Sequence, residues 1–362
     1  MTIAASGAVS FSDLRTEFVG GSSAISLGDL YRGGSNILSK AGDNPAVNMA
    51  ATVPTSGVID VQDFYSTAKG FKSTISSNTT NVDADALFGD DYDVNYPKVI
   101  DVNSGVTIGG SGDEAIDIPS GLAGTLTINN SGSILGSGGA ANGGAGGSAI
   151  ACAASGVTIN NLSGALLAGG GGGGGQGGTG GGGSYSQTLG PYVAPITTYS
   201  YVWFTNQYNK LVIRWNYSFA TNGSVTTPSG NTFSTGGYTY TRGNYYDTFE
   251  CGNDVSCAMF YVSRTGTVTS SGGSGGAGGV GQGYNVTNAS GSSGAAGGTS
   301  AGSGGAGGAG ATYGTAGSTG STGANGNASN GSAGSAGGAA GAAVSGTSVT
   351  MNNSGTLHGT VA

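Results

Sequence analysis

The chain has 362 residues, of which 78 are glycine and only 8% are charged, with a formal net charge of −8. Glycine stands at about three times its usual ~7% share, so a conventional hydrophobic core forms only locally. No Lys/Arg cluster offers phosphate neutralisation and no run of 18 apolar residues offers a membrane span, which argues against nucleic-acid binding and membrane insertion. The opening Met1-Thr-Ile-Ala-Ala-Ser-Gly7 has neither a basic nor an apolar signal region, so synthesis in a cytoplasm without a Sec-type signal is expected. Three cysteines are too few for a disulfide-built fold.

Residues 1–72 contain a degenerate triple repeat: Val9-Ser-Phe-Ser-Asp-Leu14, Ile25-Ser-Leu-Gly-Asp-Leu30 and Ile59-Asp-Val-Gln-Asp-Phe64. In each, Ser10, Ser26 or Asp60 is a good N-cap with Asp13, Asp29 or Asp63 three residues on, a capping box with Asp in place of Glu. The preceding apolar residue suits a hydrophobic staple. Three helices of a turn or two are expected. Such helices bury little alone, so this small helical module is expected to dock on something larger.

Residues 73–168 read as an acidic segment followed by β-repeats. Asp83, Asp85, Asp90, Asp91, Asp93, Asp101, Asp113, Glu114 and Asp117 hold half the acidic residues of the chain. Hard cations take several oxygen ligands, but neither EF-hand nor nonapeptide spacing is present, and a solvated, irregular acidic surface is the reading adopted; no metal or cofactor is expected. Then Leu126-Thr-Ile-Asn-Asn130 recurs as Val157-Thr-Ile-Asn-Asn161 and as Val349-Thr-Met-Asn-Asn353, with a shorter form at Val106-Thr-Ile-Gly-Gly110. Alternating apolar and Thr residues followed by a turn read as strands. Equivalent copies side by side make a short β-solenoid. The C-terminal copy, in residues 344–362, then returns to the earlier ones, and everything between is an excursion with its ends pinned together.

That excursion opens with a glycine tract at 169–183, interrupted only by Gln176 and Thr179, and closes with a glycine-rich run at 270–343. Gly302, Gly305 and Gly308 fall at period three, as do Gly314, Gly317, Gly320, Gly323 and Gly326. A three-residue helix of the polyproline II shape makes no internal hydrogen bonds. Glycine every third residue leaves one edge of bare backbone for a neighbour to bond. Collagen is rejected, because the last proline is Pro228 and the register breaks repeatedly. Past Arg264 there is no charged residue, as a packed lattice requires, since burying a charge is costly. A bundle of glycine-rich helices is expected.

Between the tracts, residues 184–269 hold both tryptophans and 11 of the 17 tyrosines, in stretches that alternate as strands do. Tyr and Trp supply stiff contact area with a polar tip. The candidate recognition residues are Tyr199, Tyr201, Trp203, Trp215, Tyr217, Tyr238, Tyr240, Arg242, Tyr245 and Tyr246, and the arginines 214, 242 and 264 suit anionic sugars. A small β core is the competing reading for any one of these aromatics. Cys251 and Cys257 flank a turn sequence and are candidates for a small disulfide loop, whereas Cys152, among alanines, reads as a buried small hydrophobe. Only one histidine, His358, exists, and the acidic groups Asp113, Glu114, Asp117 and Asp247, Glu250, Asp254 show no active-site motif. No enzyme is expected.

With these residues in view, Gly7-Ala-Val-Ser-Phe-Ser-Asp-Leu-Arg-Thr-Glu-Phe18 and Ile25-Ser-Leu-Gly-Asp-Leu-Tyr-Arg-Gly33 resemble a module that opens many tailed-phage virion proteins. The glycine tracts around a tyrosine-rich segment resemble the distal tail-fibre adhesins of T-even-like phages. The resemblance implies packed polyglycine II helices whose connecting loops contact the host receptor, although one long insert replaces several short loops here. The overall expectation is a mainly β and irregular fold: helical N-terminal module, short β-solenoid, polyglycine II bundle and inserted aromatic-rich β domain. Its function would be that of a virion tail-fibre adhesin, bound to other tail proteins through residues 1–72, recognising a glycan or outer-membrane protein, and possessing the trimeric habit of fibres. A purely structural virion component and an ice-binding protein are the alternatives.

Overall fold

The computed structural model describes residues 3–195, 214–215, 232–235, 238–250, 256–347 and 349–362; between 189 and 264 the description is of backbone and register, with Thr241 the one side chain. All three capping boxes form. The Asp13 carboxylate accepts from the Ser10 amide at 2.8 Å and its hydroxyl at 2.7 Å; Asp29 repeats both bonds with Ser26, and Asp63 accepts from the Asp60 amide at 2.9 Å. The first box opens the α-helix Phe11–Leu14, which runs into a π-turn at Arg15–Val19; the others open 3₁₀ turns at Leu27–Leu30 and Val61–Phe64. The last residue of each repeat, Leu14, Leu30 and Phe64, is fully buried in one core with Phe18, Ile37 and Val53, and the staple residues Val9, Ile25 and Ile59 pack against it. The module therefore has its own core.

It also docks on its own chain. Val47–Asn48 pairs antiparallel with Phe71–Ile75, the Tyr96 hydroxyl donates to the Asn36 carbonyl, and the buried Asp91 carboxylate accepts from the Ala41 amide.

From Phe71 the chain winds into a three-faced parallel β-solenoid. The first face stacks Phe71–Ile75, Lys98–Val102, Leu126–Asn130, Val157–Asn161 and Thr350–Asn353; the second stacks Thr79–Thr80, Thr107–Gly109, Ser133–Leu135, Leu166–Ala168 and Thr356–His358. The third stacks Val82–Asp83, Ile116–Ile118, Ile150–Cys152 and Val344–Gly346. In-register stacking puts like residues on one another. Ile100, Ile128 and Ile159 line the first face, Ile108, Ile134 and Leu167 the second, Ile116, Ile150 and Val344 the third, and all are buried. Two asparagine ladders climb the first face. Inside, Asn130 donates to Asn161 and Asn161 to Asn353; outside, Asn352 donates to Asn160, Asn160 to Asn129 and Asn129 to Asp101, which ends in a 3.4 Å ion pair with Lys72.

Two expectations need correction. Residues 73–125 are not irregular: they supply the first two coils. Nor is Val106-Thr-Ile-Gly-Gly110 a copy of the Asn-Asn strand, since Ile108 stands beside Ile134 on the second face. The true counterpart is Lys98–Val102, disguised because Lys98 occupies the register position of Phe71 and Leu126, and Asp101 that of Asn129.

The long excursion leaves between the second and third faces of the fourth coil, after Ala168, and returns at Val344. Residues 169–182 make no secondary structure of their own but bond through the main chain to six surrounding segments. Amides 171, 174, 177 and 180 donate to 282, 279, 276 and 273; amides 172, 175, 178 and 181 donate to 315, 318, 321 and 324; amides 170 and 173 donate to 147 and 144. Carbonyls of the same residues accept from 302–311, from 332–341 and from Gly139. Every bond recurs after three residues. None of the glycines in 169–183 has positive φ, so space rather than conformational freedom selects them. A Cβ on Gly174 would meet the Gly308 carbonyl at 1.9 Å, and one on Gly173 the Ala140 carbonyl at 1.8 Å. Gln176 and Thr179 fall in the register of 170 and 173, beyond the reach of the short 144–147 segment, and both side chains are exposed. There the amides of Gln176, Thr179 and Gly182 donate to the hydroxyl oxygens of Ser335, Ser332 and Ser329 in place of carbonyls.

Candidate functional site

The site candidate is built where the central glycine segment ends. Gly183 and Ser270 stand opposite each other as the first register pair of a long antiparallel ribbon, Gly183–Pro195 with Ser256–Ser270. Its base is tied down. Ser184 exchanges hydrogen bonds with the Asn327 side chain at 2.7 and 2.6 Å, and the Ser270 hydroxyl donates to the Thr299 carbonyl at 2.5 Å. Asn327 and Thr299 belong to the turns at the same end of the neighbouring segments. Tyr238–Glu250 adds a third strand along Ser256–Ser270, and Thr232–Thr235 a fourth. Successive strand residues alternate between faces, so register sorts the sheet. Thr241, Thr265, Thr267 and Thr269 share one face and are exposed. On the other face fall Tyr240 with its partners Arg264 and Phe233, and Arg242 with Val262 and Tyr192.

Of the residues singled out in the sequence, Tyr238, Tyr240, Arg242, Tyr245 and Tyr246 lie together on Tyr238–Glu250, and Trp215 lies on Arg214–Trp215, paired with Ala258. Tyr199, Tyr201, Trp203 and Tyr217 lie outside the described residues. So does Cys251, and with it the disulfide expected to Cys257, which stands opposite Phe249. Sequence reading passed over the turns holding Thr299 and Asn327. For Asn327 a signal was present: the glycine period is interrupted between Gly326 and Gly331.

Elsewhere the chemistry is structural. Cys152 is buried on the third face, its thiol pushed up by burial. Asp117 stands beside Asp83 in register, its carboxyl raised by burial and by that neighbour, and Glu114 is raised by a hydrogen bond with Asp113. Asp85, Asp90, Asp93, Tyr92, Ser120 and Gly121 line an open depression of about 690 Å³. Among the described residues no group of three His, Cys, Asp or Glu side chains stands as metal ligands. His358 is exposed and stacks on Tyr313 with ring centroids 6.5 Å apart.

The profile of the family described as phage tail fibre adhesin Gp38 matches residues 70–256, just over half of the chain. The chain belongs to that family. It is a phage tail-fibre adhesin, a receptor-binding protein and not an enzyme. The matched stretch runs from the start of the solenoid through the first glycine tract and most of the aromatic insert. Among solved structures, the crystal structure of the gp37-gp38 adhesin tip complex of the bacteriophage S16 long tail fibre is similar at 17% identity, covering 85% of this chain and 88% of that one, with a TM-score of 0.35. No curated protein matches the adhesin.

Proposed function

We propose that the adhesin works as a mast with three parts: a fibre-binding foot at residues 1–72, a rigid stem formed by the solenoid and the glycine segments, and a receptor-binding head at residues 184–269. The head reading rests on one observation. The ribbon that opens the insert starts at Gly183 and Ser270, where the central glycine segment ends and where the Thr299 and Asn327 turns gather. The Trp and Tyr residues named above, with Arg242, are then the contact residues.

The glycine segments act as a polyglycine II bundle. Three-residue recurrence of every bond and six bonded neighbours around residues 169–182 support that reading. A lattice of this kind needs no side-chain core. Its stiffness comes from amide–carbonyl bonds, each contributing about 1 kcal/mol net.

The foot presents a motif repeated three times around one core, and its third repeat positions, Phe11, Leu27 and Val61, are exposed or half-buried apolar side chains. Phe11 is 48%, Val47 55% and Val58 89% exposed. A threefold pattern within one chain suits the end of a threefold fibre shaft, where exposed apolar groups gain most from a partner.

Deleting residues 184–269 and joining Gly183 to Ser270 tests the head. The shortened protein folds, joins the fibre and fails to bind host cells or to compete with phage for them. Retained competition sinks the reading.

A further inference from the structure

Charge is divided unevenly along the adhesin. Four of the ten Lys and Arg residues but only three of the 18 Asp and Glu residues fall in 184–269, so the insert carries +1 and the rest of the chain −9. Within the insert the register brings two arginines together. Arg264 stands opposite Tyr240, and Arg242, two residues further along, stands opposite Val262. They are diagonal neighbours on one face, about 7–8 Å apart by sheet geometry. Two guanidinium-bearing residues at that spacing repel, and an oxyanion bound by both would offset the repulsion.

The described part of the insert supplies no such anion in register. Asp247 stands opposite Met259 and Glu250 opposite Ser256, at the far end of the strand. Around the pair the register places Tyr240, Tyr192, Phe233 and Leu189 on the same face, while the opposite face is exposed threonine. Guanidinium is the group that binds carboxylate and phosphate bidentately, and aromatic rings beside it suit the apolar faces of sugar rings.

We propose that Arg242 and Arg264 form an oxyanion-binding pair and that the receptor is an anionic glycan, a sugar carrying phosphate or carboxylate. This rests on the insert being the head. The charge division works in the same direction: an acidic stem holds off a polyanionic cell surface while the head approaches it.

Full-length protein is bound to lipopolysaccharide purified from cells that it recognises: native, dephosphorylated, or carboxyl-reduced. Arg242→Gln with Arg264→Gln lowers affinity at least tenfold and flattens the salt dependence, whereas Lys72→Gln, outside the insert, changes neither. One of the two chemical treatments reproduces the loss and identifies the oxyanion. The proposal is overturned if the double variant binds cells as the parent does, or if binding survives both treatments and disappears only when outer-membrane proteins are removed. In that second outcome the deletion of 184–269 still abolishes binding and the head reading stands; if the deletion binds, the head reading itself fails.

Discussion

Lys98 occupies a core position of the solenoid, fully buried, and its ammonium donates to the carbonyls of Val94, Tyr96 and Ala123 at 2.7, 3.2 and 2.8 Å. Burial lowers its pKa to about 8 from 10.5, with Asp91 and Asp93 opposing the fall. Between these values the unfolded chain holds a proton that the folded chain lacks, so stability rises with pH across that window. Melting temperatures measured from pH 7.5 to 10 rise accordingly, and Lys98→Met removes that part of the slope. Asp13 and Asp29 act in the same direction at acid pH. Hydrogen bonds from the amide and then the hydroxyl of Ser10 and Ser26 hold their carboxyls below the usual 3.8. Their contribution is complete above that value and is lost as pH falls through the lowered one; Asp13→Asn with Asp29→Asn abolishes this acid step in the N-terminal module. In the solenoid interior, Ile128→Ala leaves a cavity and costs about 2–5 kcal/mol, read from chemical denaturation.

At the scale of elements, glycine content tracks position in the lattice. Residues 169–182 are bonded on all sides and are almost pure glycine. The 302–310 segment has glycine in two of its three registers, with Ser303, Ala306 and Ala309 exposed in the third. The outer 317–326 segment has it in one. Gly174→Ala therefore forces the Gly308 backbone away and lowers the melting temperature steeply, while Ser303→Ala leaves it within measurement error, as surface substitutions usually do. The capping boxes were legible because helix starts are written locally, in residues three apart. The second solenoid coil was not, because Lys98 and Asp101 break the apolar-threonine alternation that marks the later coils. Their roles are set by partners that strand alternation does not reveal: the carbonyls of Val94, Tyr96 and Ala123 for one, and Lys72 with Asn129 for the other. Similarly, period-three glycines pointed to bonded rods, but not to which rod lies at the centre. That depends on pairings between residues from about twenty to more than a hundred and sixty positions apart.

For the whole molecule, the return of Val349-Thr-Met-Asn-Asn353 to the side of Val157–Asn161 was readable from repetition alone, and it determines the topology: Thr158 pairs with Thr350 and Asn161 with Asn353. The foot is testable at this scale. Phe11→Asp with Val58→Asp leaves the isolated protein's melting temperature unchanged and prevents its incorporation into fibres, as seen by electron microscopy and by loss of the protein from purified particles. The insert's entry and exit are facing register partners, Gly183 and Ser270, separated by the ~5 Å of neighbouring strands. Such a doorway puts one demand on whatever is threaded through it, namely that its two termini meet side by side. On the proposed role of the insert as head, a phage lineage can trade one cassette for another of different length and change the bacteria it infects, with the stem below unaware of the exchange.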